Sequence, residues 1–157
     1  MTTWLTAEEQ RAWRSLLAMN AELTARLNRG LQERGLSLAD YDVLVALTDV
    51  RERSLRLREL GTVLQWEKSR VSRQVTRMAA RGLVARRECP EDKRGAYVDL
   101  TEAGRQAIEA AAPGHVSLVR ELVFDTLRAD QVRALADACQ AVLTSFTAGS
   151  PGPASGQ

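Results

Sequence analysis

Ser69, Arg70, Arg73, Thr76 and Arg77 recur at the spacing of one helical face, and all five carry groups that bond phosphate or base edges. On the opposite side of the same period lie Val71, Val75, Met78 and Ala79. From Arg70 to Arg81 there is no acidic residue, so the usual i, i+4 partners are missing from this helix. A face of one charge sign repels itself. An arriving polyanion explains it better than the plainer alternative of a solvated surface helix. Lys68 and Ser69, at the helix start, suit phosphate, helped by the N-terminal end of the helix. Arg73 and Arg77 lie deeper on the face and are the candidates for base edges, where a bidentate guanine contact gives about 1–3 kcal/mol of discrimination.

A face of this kind needs a partner behind it. Leu57, Leu60 and Leu64 place a short helix just upstream, and a tight turn between the two completes the unit that enters a major groove. After Arg81, Gly82 closes the second helix and the apolar period shortens to two. Residues 84–89 and 96–100 then read as strands joined by the turn-rich segment 90–95. A charged hairpin at this place looks like a wing, with Lys93 and Arg94 at its tip to follow the backbone or enter the adjacent minor groove. Arg86 and Arg87 alternate across the first strand, so only one of them is expected to face DNA.

The remaining elements position this unit. Thr6 and Glu9 form a capping box for a helix expected to run to about Arg34, with Gly35 as its stop. Its stripe of Trp13, Leu16, Leu17, Met19, Leu23 and Leu27 is wider than a small domain can cover, which points to burial against another subunit. Ser37 opens a short support helix through Tyr41, Val43, Leu44, Ala46 and Leu47; a polar connection and a brief strand at 54–56 follow. Thr101 caps a helix through Ile108, Val116, Val119, Leu122 and Val123, in which Pro113-Gly114 predicts a kink or break. A last helix from about Ala129 carries Val132, Leu135, Val142, Leu143 and Phe146, and residues 148–157 form a low-complexity tail expected to be disordered. The fold class is mostly α with a small β-hairpin wing. The expected division is 1–36 for a subunit contact and 37–100 for binding DNA, with closing helices over 101–147.

Composition agrees. Between Gln65 and Arg94, nine basic residues face four acidic ones, a local excess of five in a chain whose net charge is only +2. Cys89 and Cys139 lie far apart, and His115 is the one histidine, which argues against a zinc or Cys-His site within one chain. No cofactor or metal is expected. The sequence shows no signal-peptide pattern and no apolar run of membrane-spanning length, so the expectation is a cytoplasmic protein with reduced thiols and no membrane partner.

In this order, helix, support helix, helix-turn-helix, wing and two closing helices resemble the MarR family of bacterial transcriptional regulators. The most specific matches are Asp92-Lys93-Arg94-Gly95, similar to the family's Asp-x-Arg-Gly wing, and Leu100-Thr101-Glu102-Ala103-Gly104-Arg105, similar to its Leu-Thr-x-x-Gly-Arg. The resemblance covers roughly residues 6 to 147. It implies a homodimer joined through its N- and C-terminal helices, 1–36 and 101–147, on a pseudo-palindromic operator of double-stranded DNA, acting as a repressor that a small aromatic or anionic effector releases. By position it carries the DNA contacts to Ser69, Arg70, Ser72, Arg73, Gln74 and Arg77 of the recognition helix and to Arg94 of the wing, with Asp92 steadying the wing beside Gly95.

Other readings compete at single residues. Cys89, at the wing base, would serve a thiol-responsive regulator, but an ordinary buried thiol is the favoured reading there. Trp13 and His115 are candidates to line an effector cleft, with core or helix packing as the plainer role. An enzyme reading lacks a Gly-rich phosphate loop, a paired acid–base constellation and the chain length for a second, cofactor-binding domain. A protein-interaction scaffold on the same fold predicts a neutral or mixed recognition face, unlike the face present here.

Overall fold

In the computed structural model the described residues are 3–90 and 92–148, and for 92–94 the description covers the backbone alone. The first helix, α1 (Ala7–Gln32), starts as its sequence predicts. Glu9 N–H donates to Thr6 Oγ1 (3.2 Å) and Thr6 N–H to Glu9 Oε2 (2.7 Å), satisfying two donors that a helix start leaves open. It stops before Gly35, which takes φ +76°, and Leu36 N–H returns to Leu31 O. Ser37 and Asp40 form a second capping box for α2 (Leu38–Thr48), and Leu38 N–H donates to Asn28 Oδ1 (2.9 Å), which fixes this start against α1.

Three short elements follow: β1 (Ser54–Arg56), α3 (Leu57–Leu64) and α4 (Lys68–Ala80). Helix α3 ends because Gln65 adopts a left-handed φ of +56°, which turns the chain sharply into α4. Strands β2 (Val84–Cys89) and β3 (Asp92–Leu100) form the hairpin. The turn formers at 90–95 predict a loop; instead β3 begins at Asp92, opposite Cys89, with a register irregularity between Glu88 and Cys89. Pairing to β2 extends this strand into the segment whose composition suggests a turn. The brief strand at 54–56 also has a partner: it joins β3, pairing Leu55 with Val98, and gives an antiparallel sheet in the order β1-β3-β2.

Helix α5 (Glu102–Leu122) runs through Pro113 without the expected break. Proline removes one N–H and disturbs the carbonyls of the turn before it. The carbonyl that loses its donor is Glu109 O; its neighbour Ala110 O accepts from Arg34 Nη1 at 3.1 Å, which ties α5 to the segment just after α1. The start of α5 is fixed more tightly. Thr101 Oγ1 lies 2.6 and 2.8 Å from the carbonyls of Gly82 and Leu83 and accepts from Gly104 N–H at 3.0 Å. A Cβ at Gly104 would stand 2.0 Å from Leu83 O, so only glycine permits this approach between the end of α4 and the start of α5.

By contact the chain forms two compact units, Met1–Leu118 and Val119–Gln157. The core of the first is built from Leu31, Leu36, Val43, Leu44, Leu47, Leu60, Val71, Val75, Met78, Val98 and Ile108. Among the described residues, the second contains the end of α5, a 3-10 turn (Phe124–Thr126) and α6 (Ala129–Ala148), which has no buried residue. The tail expected to be disordered lies, from residue 149 on, outside the described residues.

Candidate nucleic-acid interface

Helix α4 separates its two faces as its period requires. Val71, Val75 and Met78 are at most 1% exposed, packed with Leu60 of α3 and, less deeply, with Leu57 and Leu64. Lys68, Ser69, Arg70, Arg73, Thr76 and Arg77 are exposed, and Ser72 is half-buried. Glu67 makes no side-chain cap at the start of α4, and the first turn holds no acid. The N–H groups there keep their partial positive charge for an anion.

The cationic side chains differ in how firmly they are held. Arg70 lies over the ring of Trp66, its guanidinium carbon 4.0 Å from the centroid, a stacking arrangement that limits its motion. Arg86 Nη1 donates to Ser72 Oγ at 3.4 Å, tying β2 to α4. Arg87, its neighbour, pairs with Asp99 through two hydrogen bonds (3.0 and 3.2 Å) and lies over Tyr97. The two arginines thus divide as the strand alternation predicts, with Arg86 on the side of α4. Arg73, among the described residues, has no hydrogen bond, ion pair or ring contact.

Gln74 departs from the expectation. It is 3% exposed, so it does not share the outer face. Its Nε2 donates to Asp40 Oδ1 at 2.6 Å, and its Oε1 accepts from Arg77 Nη2. Asp40, itself 3% exposed, also accepts from Ser37 N–H and from Arg81 Nη1 (2.7 Å), while Arg81 Nη2 donates to Gly35 O. Burial pushes the Asp40 carboxyl up, but hydrogen bonds from Ser37 and the adjacent Arg81 guanidinium outweigh it and hold the group below the ordinary carboxylate range. The cationic face is therefore not wholly unpaired: Arg81, for which the sequence suggests no partner nearby, finds one on α2.

At the wing, the side chains of Asp92, Lys93 and Arg94 lie outside the described residues, so their expected contacts do too. Gly95 is half-buried in β3 and lines a groove of about 680 Å³ together with Arg58, Trp66, Lys68 and Cys89. Cys89 is 3% exposed, whereas Cys139 is exposed in the second unit. Neither Trp13 nor His115 lines this groove. Trp13 is 52% exposed on α1, and His115 is half-buried with its ring 4.4 Å from that of Tyr41. His115 Nδ1 is buried with no hydrogen-bond partner among the described residues, and burial lowers the imidazole pKa against the opposing charge of Asp42. No cluster of ligating side chains that could hold a metal occurs among the described residues, and no helix there is long and apolar enough to cross a membrane.

The family model for the MarR family matches residues 34–95, the support helix through the wing. Among solved structures, the chain is similar to AbsC, a MarR family transcriptional regulator from Streptomyces coelicolor. The two are 37% identical, with 94% of this chain and 99% of AbsC covered and a TM-score of 0.85. This chain belongs to the MarR family of transcriptional regulators. A second MarR family regulator from Streptomyces coelicolor, Sco3205, solved in complex with DNA, is also 37% identical, with 99% and 97% of the two chains covered and a TM-score of 0.87. The HTH-type transcriptional repressor YetL of Bacillus subtilis is 29% identical over 105 residues; that alignment spans 67% of this chain and 63% of YetL. The family assignment agrees with the wing and Leu100–Arg105 motifs. Sequence reading missed the inward turn of Gln74 and the roles of Asp40, Trp66 and Arg81. Only Gln74 left a trace, one turn from Val71 and Met78 on the apolar side of the helix.

Proposed function

We propose that this MarR family chain acts as a homodimeric repressor that binds a pseudo-palindromic operator in double-stranded DNA. One observation carries the reading: α4 exposes Arg70, Arg73 and Arg77 on a face whose reverse side is sealed by Val71, Val75 and Met78. Support comes also from Sco3205, solved in complex with DNA, and from YetL, named a repressor. In this reading Lys68 and Ser69 hold phosphate at the start of α4, and Ser72 and Thr76 add hydroxyl contacts. Arg73 and Arg77 read base edges, Arg70 follows the backbone, and Lys93 and Arg94 serve the wing with Asp92 and Gly95 as its support.

Residues 37–100 form the DNA-binding part, and 1–36 with 101–147 supply the subunit contact. Exposed Trp4, Leu5, Trp13, Leu16 and Leu17 towards one end of the sequence, and Val142 and Leu143 towards the other, are apolar surface that a second copy would cover. A small aromatic or anionic effector enters a cleft near His115, where a buried nitrogen stands beside the Tyr41 ring without a partner among the described residues. The protein is a cytoplasmic regulator without catalytic activity.

Fluorescence-anisotropy titration of the purified protein on labelled duplexes at several salt concentrations tests the reading. The slope of log affinity on log salt is expected to be about −0.9 for each phosphate neutralised. Failure to bind any duplex in dilute buffer overturns it.

A further inference from the structure

We infer that Gln74 and Asp40 are positioning residues for sequence discrimination: their hydrogen bonds aim the Arg77 guanidinium at a base edge before DNA arrives. The inference rests on the DNA-binding reading above and deepens it.

The polarity of the chain fixes its geometry. A carboxylate only accepts and a guanidinium only donates, so the amide between them must present Nε2 to Asp40 and Oε1 to Arg77, as it does. The anchor is also fixed. Oδ2 of Asp40 is occupied by Ser37 N–H and Arg81 Nη1, which leaves Oδ1 for Gln74. Both Asp40 and Gln74 are 3% exposed, so water does not compete for the bond between them. An apolar residue would fill the space of Gln74 without burying an amide. The amide is the group that reaches a DNA-facing arginine.

The consequence follows from side-chain freedom. An untethered arginine must select one rotamer from many when it meets a base, whereas a guanidinium held beforehand has lost that freedom already. One nitrogen of Arg77 is engaged by Gln74, and its other donors remain for DNA. Arg73, on the same face, has no such tether among the described residues. Discrimination at the base that Arg77 meets is therefore sharper than at the base facing Arg73.

Selection from a randomised duplex pool defines the sequence that the wild-type dimer prefers, and its affinity for that duplex over a scrambled one is the quantity followed. Gln74→Met is expected to reduce this ratio about tenfold, with the loss on the selected duplex and an unchanged salt slope. Arg77→Ala gives a similar loss, and the double variant loses no more, because the two act as a unit. The pair Asp40→Asn with Gln74→Glu reverses the polarity of the first bond. The amide introduced on α2 then donates to the carboxylate introduced on α4, and that carboxylate still accepts from Arg77. This pair restores the ratio to within about threefold of wild type, whereas Gln74→Glu alone sets two carboxylates face to face and does not. Melting curves identify any variant that fails to fold, and the swapped pair keeps the question answerable if Gln74→Met does. The inference is overturned if folded Gln74→Met keeps the wild-type ratio, if it weakens both duplexes equally, or if its effect adds fully to that of Arg77→Ala. It also falls if the swapped pair folds without regaining discrimination. If the wild-type protein binds no duplex at all, the DNA-binding reading itself fails, an outcome distinct from each of these.

Discussion

Helices α2 and α6 carry similar apolar residues and meet opposite fates. In the 11 residues of α2, six are buried, among them Val43, Leu44 and Leu47 at 0% exposure. In the 20 residues of α6 none is buried, and Val142, Leu143 and Phe146 are 53–66% exposed. Hydropathy alone therefore does not tell where the cover comes from. For α2 it comes from α3, α4 and the sheet of the same chain, whose core is closed. For α6, as for the front of α1 around Trp13 and Leu16, apolar surface stays open within one chain, and a second copy is the proposed cover.

This contrast can be broken at either end. Leu47→Ala empties a fully buried site in the closed core, and a loss of about 2–5 kcal/mol is expected in denaturant unfolding whether or not the chain dimerises. A loss below about 1 kcal/mol would show that α2 is not held as its burial implies. Leu143→Asp places a charge in the proposed subunit contact. Sedimentation should show the dimer giving way to monomer, while circular dichroism retains the helical signal of the DNA-binding part. A dimer of unchanged mass would remove α6 from the contact.

The smallest effect concerns acid. Asp40 ionises below its ordinary 3.8 in the folded chain, so it contributes stability above that value and loses it as pH falls through the lowered one. Asp40→Asn should accordingly lower the melting temperature at pH 7 and flatten its dependence on pH below about 4. If variant and wild type fall in parallel through the acid range, the carboxylate is not held as described. Such a result would leave the closed core intact but weaken the link between α2 and the recognition helix.

How much of this was legible in the sequence depends on distance along the chain. The capping box at Thr6, the helix start at Ser37, the two faces of α4 and the alternation of Arg86 and Arg87 arise from neighbours within a turn or a strand, where periodicity speaks directly. Asp40 meets Gln74 and Arg81 across more than thirty residues, so the absence of local acids on α4 looked like an absence of partners. Pro113 signals a kink or a break, and of the two the break does not occur: α5 continues through it to Leu122. Resemblance by position placed Gln74 among the DNA contacts, and only packing shows that its side chain turns inward.

Hydroxyl-radical footprinting on the DNA upstream of the protein's own gene tests the central claim most directly. Two protected patches, related by an approximate palindrome and centred about one helical turn (~34 Å) apart, are the predicted result, lost together in the Arg73→Ala/Arg77→Ala variant. Uniform cleavage with saturating dimer, or protection that survives removal of both arginines, would contradict a recognition surface on α4.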